Sequence, residues 1–228
     1  MRQVLALAPS RFAIFGYAHV PWMKPHQKRI DEATLPDTRG RMLQAAPARE
    51  ILAEGGYVAI RIDHFARPDD EPTAAFRARR LGRNFQGYTT DRAAALVGIG
   101  ASAISRTPSG LAQNARDNAG WRRAIEAGRL PTVQGKAFTG DDVLRAAVIE
   151  ELLCYFEVDL AEAARRHRAP LAAFADDVAR LLPMAAAGWL EIEGSRLRIR
   201  EHGHEIARVV ASGFDAYLGR GGRHSLAA

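Results

Sequence analysis

Thiols are almost missing from this chain: Cys154 is the single cysteine in 228 residues. That excludes an internal disulfide and any site that needs several thiolates from this chain alone. Long apolar runs are missing too, since none approaches the roughly 20 residues of a membrane-spanning helix. The opening Met1-Arg2-Gln3-Val4-Leu5-Ala6-Leu7-Ala8-Pro9 has too short an apolar core for a signal peptide. The expectation is a cytoplasmic protein with no membrane partner. There is no internal repeat, and Gly98-Ile99-Gly100-Ala101-Ser102 lacks the GxGxxG spacing of a dinucleotide fingerprint.

What is present suffices for a packed core, at 47% hydrophobic residues. The neighbours of Cys154, which are Leu152, Leu153, Tyr155 and Phe156, suggest a buried helical thiol. The net charge of +6 comes from many arginines. Such a charge suits phosphates, membrane headgroups or a ligand rich in carboxylates, and by itself does not choose among them.

The first half alternates strand-like and helix-like segments. Arg11 to Ala18 reads as a buried strand running into a loop at His19-Val20-Pro21. A helical pattern follows from about Asp37 to Glu54, closed by Gly55-Gly56, with Pro47 expected to kink or restart it. Tyr57 to Ile62 is again strand-like, with Asp63-His64-Phe65 at its C-terminal end. Strand, helix, strand predicts a βα unit of a parallel sheet, in which a ligand site forms beyond the strand ends.

From about Pro131 the pattern turns helical. Thr139 with Asp142 three residues on predicts a capped helix start, followed by Leu144, Val148, Leu152 and Tyr155 at helical spacing. A second helix carries Phe174, Val178 and Leu182. Residues 189–192 and 197–200 then flank Glu193-Gly194-Ser195-Arg196 as a hairpin, and Ile206, Val210, Phe214 and Tyr217 mark a last helix. Together these predict a winged-helix-like unit over 131–218, after a first domain over 1–130 and before a disordered tail over 219–228.

Several groups could carry chemistry, each beside a plainer role. Arg67, between Asp63 and Asp69, has paired donors for a carboxylate, and equally the makings of a strand-end salt bridge. His64 could act as an acid or base, or bond a loop carbonyl. Phe85-Gln86-Gly87-Tyr88 offers rings for stacking, an amide and a close backbone approach, or else a core turn with two buried aromatics. His202 and His204 lack a third metal ligand nearby. Arg196, Arg198 and Arg200 alternate along the hairpin as a phosphate-touching wing or a solvated strand face.

Four linked motifs carry a resemblance. Phe15-Gly16-Tyr17-Ala18-His19-Val20-Pro21, Asp63 to Glu71, Arg83 to Thr90, and Gly100-Ala101-Ser102-Ala103-Ile104-Ser105 occur in the order and spacing of the oxygen-independent coproporphyrinogen III oxidases of the radical-SAM class. Asp215-Ala216-Tyr217-Leu218 is similar to that family's C-terminal pattern. The resemblance implies an α/β fold: the last βα units of an incomplete (β/α) barrel, then the winged-helix-like unit. It implies oxidative decarboxylation of two propionates of coproporphyrinogen III to vinyl groups, giving protoporphyrinogen IX.

It also implies two cofactors. S-adenosylmethionine would be contacted by Ala18 and Ile104, with Phe85 and Gln86 at the same region. A [4Fe-4S] cluster would be held by a CxxxCxxC motif in the family's N-terminal part, which these residues do not contain. The expectation is therefore a monomeric C-terminal portion that needs that missing part as its partner. Four propionates per substrate make Arg67 a sensible substrate contact. A haem or porphyrin carrier on the same scaffold is one alternative. A winged-helix nucleic-acid-binding protein is another, although it leaves the motifs between Asp63 and Ser105 unexplained, and no nucleic-acid partner is expected.

Overall fold

The computed structural model describes residues 1–218, without the side chains of 202–204. The tail expected from 219 onward and the side chains of His202 and His204 thus lie outside the described residues. The first elements are α1 (Arg2–Leu5), β1 (Arg11–Ala13), α2 (Thr38–Glu54), β2 (Val58–Ile60) and β3 (His64–Ala66). Asp37 starts α2 by accepting the Gly40 N–H at 2.7 Å. The helix runs unbroken through Pro47 instead of restarting there. Proline removes the bond to the Leu43 carbonyl, but Leu43 is exposed, so water can serve that oxygen.

The strand pairing departs from the parallel βα expectation. β3 lies in the middle and pairs antiparallel with both neighbours, Phe12 opposite Phe65 on one side and Ala59 opposite Phe65 on the other. The turn at Arg61-Ile62-Asp63 reverses the chain straight out of β2, and Arg61 takes a left-handed φ of 66° to make it. β1 and β2 therefore run the same way with β3 between them. β1 also stops at Ala13, well short of Ala18, because its partner strand begins at His64; one further bond, Ile14 N–H to the Asp63 carbonyl at 2.8 Å, ends the pairing.

Next come α3 (Glu71–Arg77), a hairpin of β4 (Gly82–Asn84) and β5 (Gly87–Thr89), and an antiparallel sheet of β6 (Ile104–Thr107), β7 (Gly110–Asn114) and β8 (Thr132–Ala137). Between β7 and β8 lies α4 (Asn118–Glu126). The loop that precedes β6 is pinned by Asn114, whose amide donates to the carbonyls of Gly98 (3.2 Å) and Gly100 (3.0 Å).

The remaining elements are α5 (Asp142–Tyr155), β9 (Glu157–Asp159), α6 (Leu160–Arg166), α7 (Ala175–Ala186), β10 (Leu190–Glu193), β11 (Arg196–Ile199) and α8 (Ala207–Ser212). At the start of α5, Thr139 donates its backbone N–H to Asp142 at 2.9 Å, so the carboxylate reaches back as the spacing predicts. Leu144, Val148 and Leu152 of α5 pack with Leu181, Leu197, Val210 and Phe214 in the main core. Strand order β10-β11-β9 makes the winged arrangement. On the wing, Arg198 pairs with Glu157 at 3.3 Å and Arg200 with Glu191 at 2.7 Å, so two of the three wing arginines already face carboxylates.

One residue from the first part, Ile62, is buried in that main core. Beside it the Arg61 guanidinium lies between the rings of Phe76 (4.1 Å) and Phe156 (4.7 Å) and donates to the Cys154 carbonyl at 2.8 Å. Burial pulls its pKa below the usual arginine value. Tyr155 donates to the Leu81 carbonyl, and Tyr88 to the Leu153 carbonyl, both at 2.9 Å. Arg79, from the basic run after α3, meets Glu157 at 2.7 Å. The end of α5 is thereby stitched to the β3–β5 region.

Candidate functional site

The chain-reversing turn after β2 places Asp63 and His64 side by side. His64 Nδ1 lies 2.5 Å from the Asp63 carboxylate, whose other oxygen meets the guanidinium of Arg208 on α8. Burial works to raise the Asp63 pKa; the His64 hydrogen bond and the charge of Arg208 outweigh it and hold the carboxyl below its ordinary value. A carboxylate on Nδ1 fixes the imidazole's orientation, leaving Nε2 as the working nitrogen. Nε2 has no hydrogen-bond partner among the described residues.

Two other segments close on that ring. Phe15, just beyond β1, meets it edge-on at 5.9 Å between centroids, and Tyr88 of β5 does so at 5.1 Å. Gly87, opposite Asn84 in the hairpin, leaves the room that Nε2 occupies. Arg83, opposite Tyr88, lays its guanidinium 4.7 Å from the phenol ring centre, and its Nη1 is buried without a partner among the described residues. Burial pushes the Tyr88 phenol up to about 12, so it stays neutral near pH 7.

The structure gathers some of the expected site residues and not others. Phe85 and Gln86 form the tip of the β4–β5 hairpin, next to Gly87, which faces His64; Phe85 is exposed, while Tyr88 is half-buried. Ala18 follows Phe15 on the same extended segment, where Gln27 anchors it by donating to its carbonyl at 3.1 Å and accepting from the Val20 N–H at 2.6 Å. Ile104 opens β6, in a different sheet, paired with Gln113. Arg67 sits at the opposite end of β3 from His64, with Asp69 at 3.3 Å, beside an open depression lined by Leu5, Ala8, Tyr57 and Pro68. Asp63, the other carboxylate expected near Arg67, turns to Arg208 instead.

Sequence reasoning missed Arg208 and Arg83. The Asp63-His64 adjacency was a visible signal for the dyad; nothing local marks Arg208, which stands 145 residues away from Asp63. Among the described residues no group of three His, Cys, Asp or Glu is placed to hold a metal, and no helix is long and apolar enough to cross a membrane.

Residues 138–205 match the family model described as the HemN C-terminal domain. Over 95% of this chain, a protein of Thermostichus vulcanus called oxygen-independent coproporphyrinogen III oxidase is 39% identical, and the match covers 67% of that relative. The chain belongs to the oxygen-independent coproporphyrinogen III oxidase family. A Bradyrhizobium diazoefficiens member of the family is 45% identical over 97% of this chain and 49% of its own length. The Escherichia coli coproporphyrinogen III oxidase, HemN, described as a radical SAM enzyme, superposes with a TM-score of 0.87 at 34% identity, over 95% of this chain and 50% of that one. The chain thus spans about half the length of most of the family members it matches. Its mixed α/β architecture, with no closed barrel, is the fold of that half.

Proposed function

We propose that this chain works as part of an oxygen-independent coproporphyrinogen III oxidase, which converts coproporphyrinogen III to protoporphyrinogen IX by oxidative decarboxylation of two propionates. The observation that carries this reading is the 39% identity that extends over 67% of a relative of that name. A site lined by an imidazole, two arginines and open aromatic rings suits a flat macrocycle with carboxylate arms. We place the protein in the cytoplasm, as a monomer of two units, with the division expected at 130/131 moved past β8, because that strand pairs with β7 of the first unit.

The iron-sulfur cluster that the family implies does not fit the residues present. Such clusters need several thiolates, whereas the one thiol here is fully buried and pushed by burial up to about 12. No catalytic step can be assigned to this chain through a cluster, and its ligands must come from residues outside these 228. Phe15, against His64, and Phe85, on the hairpin that faces it, are exposed apolar side chains suited to being covered by such a part.

S-adenosylmethionine fits better. The open ring of Phe85 can stack on an adenine and the Gln86 amide can bond its polar edge; Ala18 would add main-chain contact from the segment after β1, and Ile104 an apolar contact from β6. When bound, that cofactor supplies the hydrogen-abstracting radical.

Two preparations test the reading. The chain alone, treated anaerobically with iron and sulfide, should take up no cluster and leave S-adenosylmethionine intact. Co-produced with the cluster-binding half of the Bradyrhizobium relative, it should yield protoporphyrinogen IX from coproporphyrinogen III. A stoichiometric [4Fe-4S] cluster on the chain alone, with S-adenosylmethionine cleavage, overturns the proposal.

A further inference from the structure

We propose that His64 contacts the ligand directly, with Nε2 hydrogen-bonded to a carboxylate of the porphyrinogen, and that Asp63 and Arg208 are the positioning residues that aim it. This deepens the functional reading above and rests on it.

Geometry carries the argument. Asp63 Oδ1 lies 2.5 Å from Nδ1, so the ring's orientation is set from behind. Arg208 holds the second carboxylate oxygen and keeps Asp63 from turning elsewhere. In front, the ring is bounded by Phe15 and Tyr88, and the space at Nε2 exists because position 87 carries no β-carbon. The His64 side chain is 19% exposed, so the nitrogen that has no partner among the described residues is not sealed in the core.

The local charge favours an anion. Asp63 is set against two guanidiniums, Arg208 and Arg83; Glu150, which accepts the Arg83 backbone N–H at 3.2 Å, is paired with Arg92 at 3.1 Å, and the Arg83 side chain has no ion-pair partner among the described residues. Its buried Nη1 also lacks an acceptor. The other charged groups packed nearby, Arg49 of α2 and Glu205, pair with each other at 3.6 Å, while a second Arg49 nitrogen donates to the Ile62 carbonyl at 3.0 Å. A surplus positive charge beside an imidazole is a place for a carboxylate rather than for a cation or a neutral amide.

A carboxylate accepts from an Nε2–H, so with Nδ1 held by Asp63 the bond to the ligand is a charge-assisted one in which His64 is the donor.

The test uses the complete 228-residue chain with coproporphyrin III, the oxidised and stable counterpart of the substrate, titrated by fluorescence. H64Q should bind on the order of tenfold more weakly than wild type, the worth of one charge-assisted hydrogen bond, and D63N should lose part of the same affinity. Arg165→Gln, exposed on α6, should match wild type. Should H64Q fail to fold, the tetramethyl ester of coproporphyrin III serves as the second measurement, since without carboxylates it should bind wild type at least about tenfold more weakly than the acid.

Wild-type affinity in folded H64Q, or an ester bound as tightly as the acid, overturns the assignment of His64 while leaving the functional reading intact. No binding of coproporphyrin III by wild type overturns both.

Discussion

A β-carbon at Gly87 would stand 2.6 Å from Nε2 of His64, inside any tolerable contact distance. Gly87 also holds a φ of 133°, which side chains rarely adopt. Both restrictions meet at one residue of the hairpin that carries Phe85 and Gln86. Gly87→Ala should therefore cost about 2–4 kcal/mol in stability and turn His64 away from the site. Chemical denaturation measures the first effect, and the shift of the His64 imidazole resonance in an NMR spectrum measures the second. An unchanged spectrum and an unchanged midpoint would show that the contact carries no constraint.

Removing Arg208 strands a carboxylate. Asp63 is 5% exposed, so Arg208→Ala leaves a buried charge with only His64 as partner and should destabilise the chain by about 3 kcal/mol. Arg208→Ala combined with Asp63→Asn should recover part of that loss, because the charge that lacked a partner is gone. A double-mutant cycle on denaturation midpoints gives the coupling.

How far these features could be read from sequence follows their range along the chain. The winged unit was legible because its signals are local: Leu144, Val148 and Leu152 at helical spacing, and a hairpin around Glu193-Gly194-Ser195-Arg196. At 85–88 the sequence marked a turn or a stacking segment but neither the hairpin nor which ring would face out, and the exposed one is Phe85. The sheet was misread because Asp63-His64-Phe65, taken as the end of one strand, is the end of a turn and the start of the next strand, and a left-handed Arg61 gives no warning in one-letter code. Pro47 announced a break that an exposed Leu43 carbonyl makes unnecessary. Arg208 was invisible, since its partner is set by tertiary packing alone.

Acid should loosen the fold through Asp63. Its folded pKa lies below the ordinary value, so the associated stability is present above the unfolded carboxylate's pKa of about 3.9 and is lost as pH falls through the folded value. Asp70, held low by the hydrogen bond from Arg11, adds a second contribution of the same sign. Melting temperature should fall between about pH 5 and about pH 3, and Asp63→Asn should flatten the curve without levelling it. A curve identical to wild type would remove Asp63 from the account.

Cys154 should be silent chemically. With no exposure and a thiol pushed by burial up to about 12, it has almost no thiolate near neutral pH. Ellman's reagent should leave the native chain unmodified over hours and release one equivalent of thionitrobenzoate per chain in denaturant. Rapid reaction of the native chain would mean that the carboxyl end of α5 opens readily.

The burial of Ile62 in the C-terminal core has a genetic consequence. Ile62 immediately precedes the Asp63-His64 dyad, so whatever loosens the packing of Leu152, Val210 or Phe214 frees the residue from which the dyad projects. Substitutions inside the winged unit, far from any ligand, should surface in a screen as loss-of-function alleles with near-normal protein levels, and would be mistaken for active-site lesions by phenotype alone.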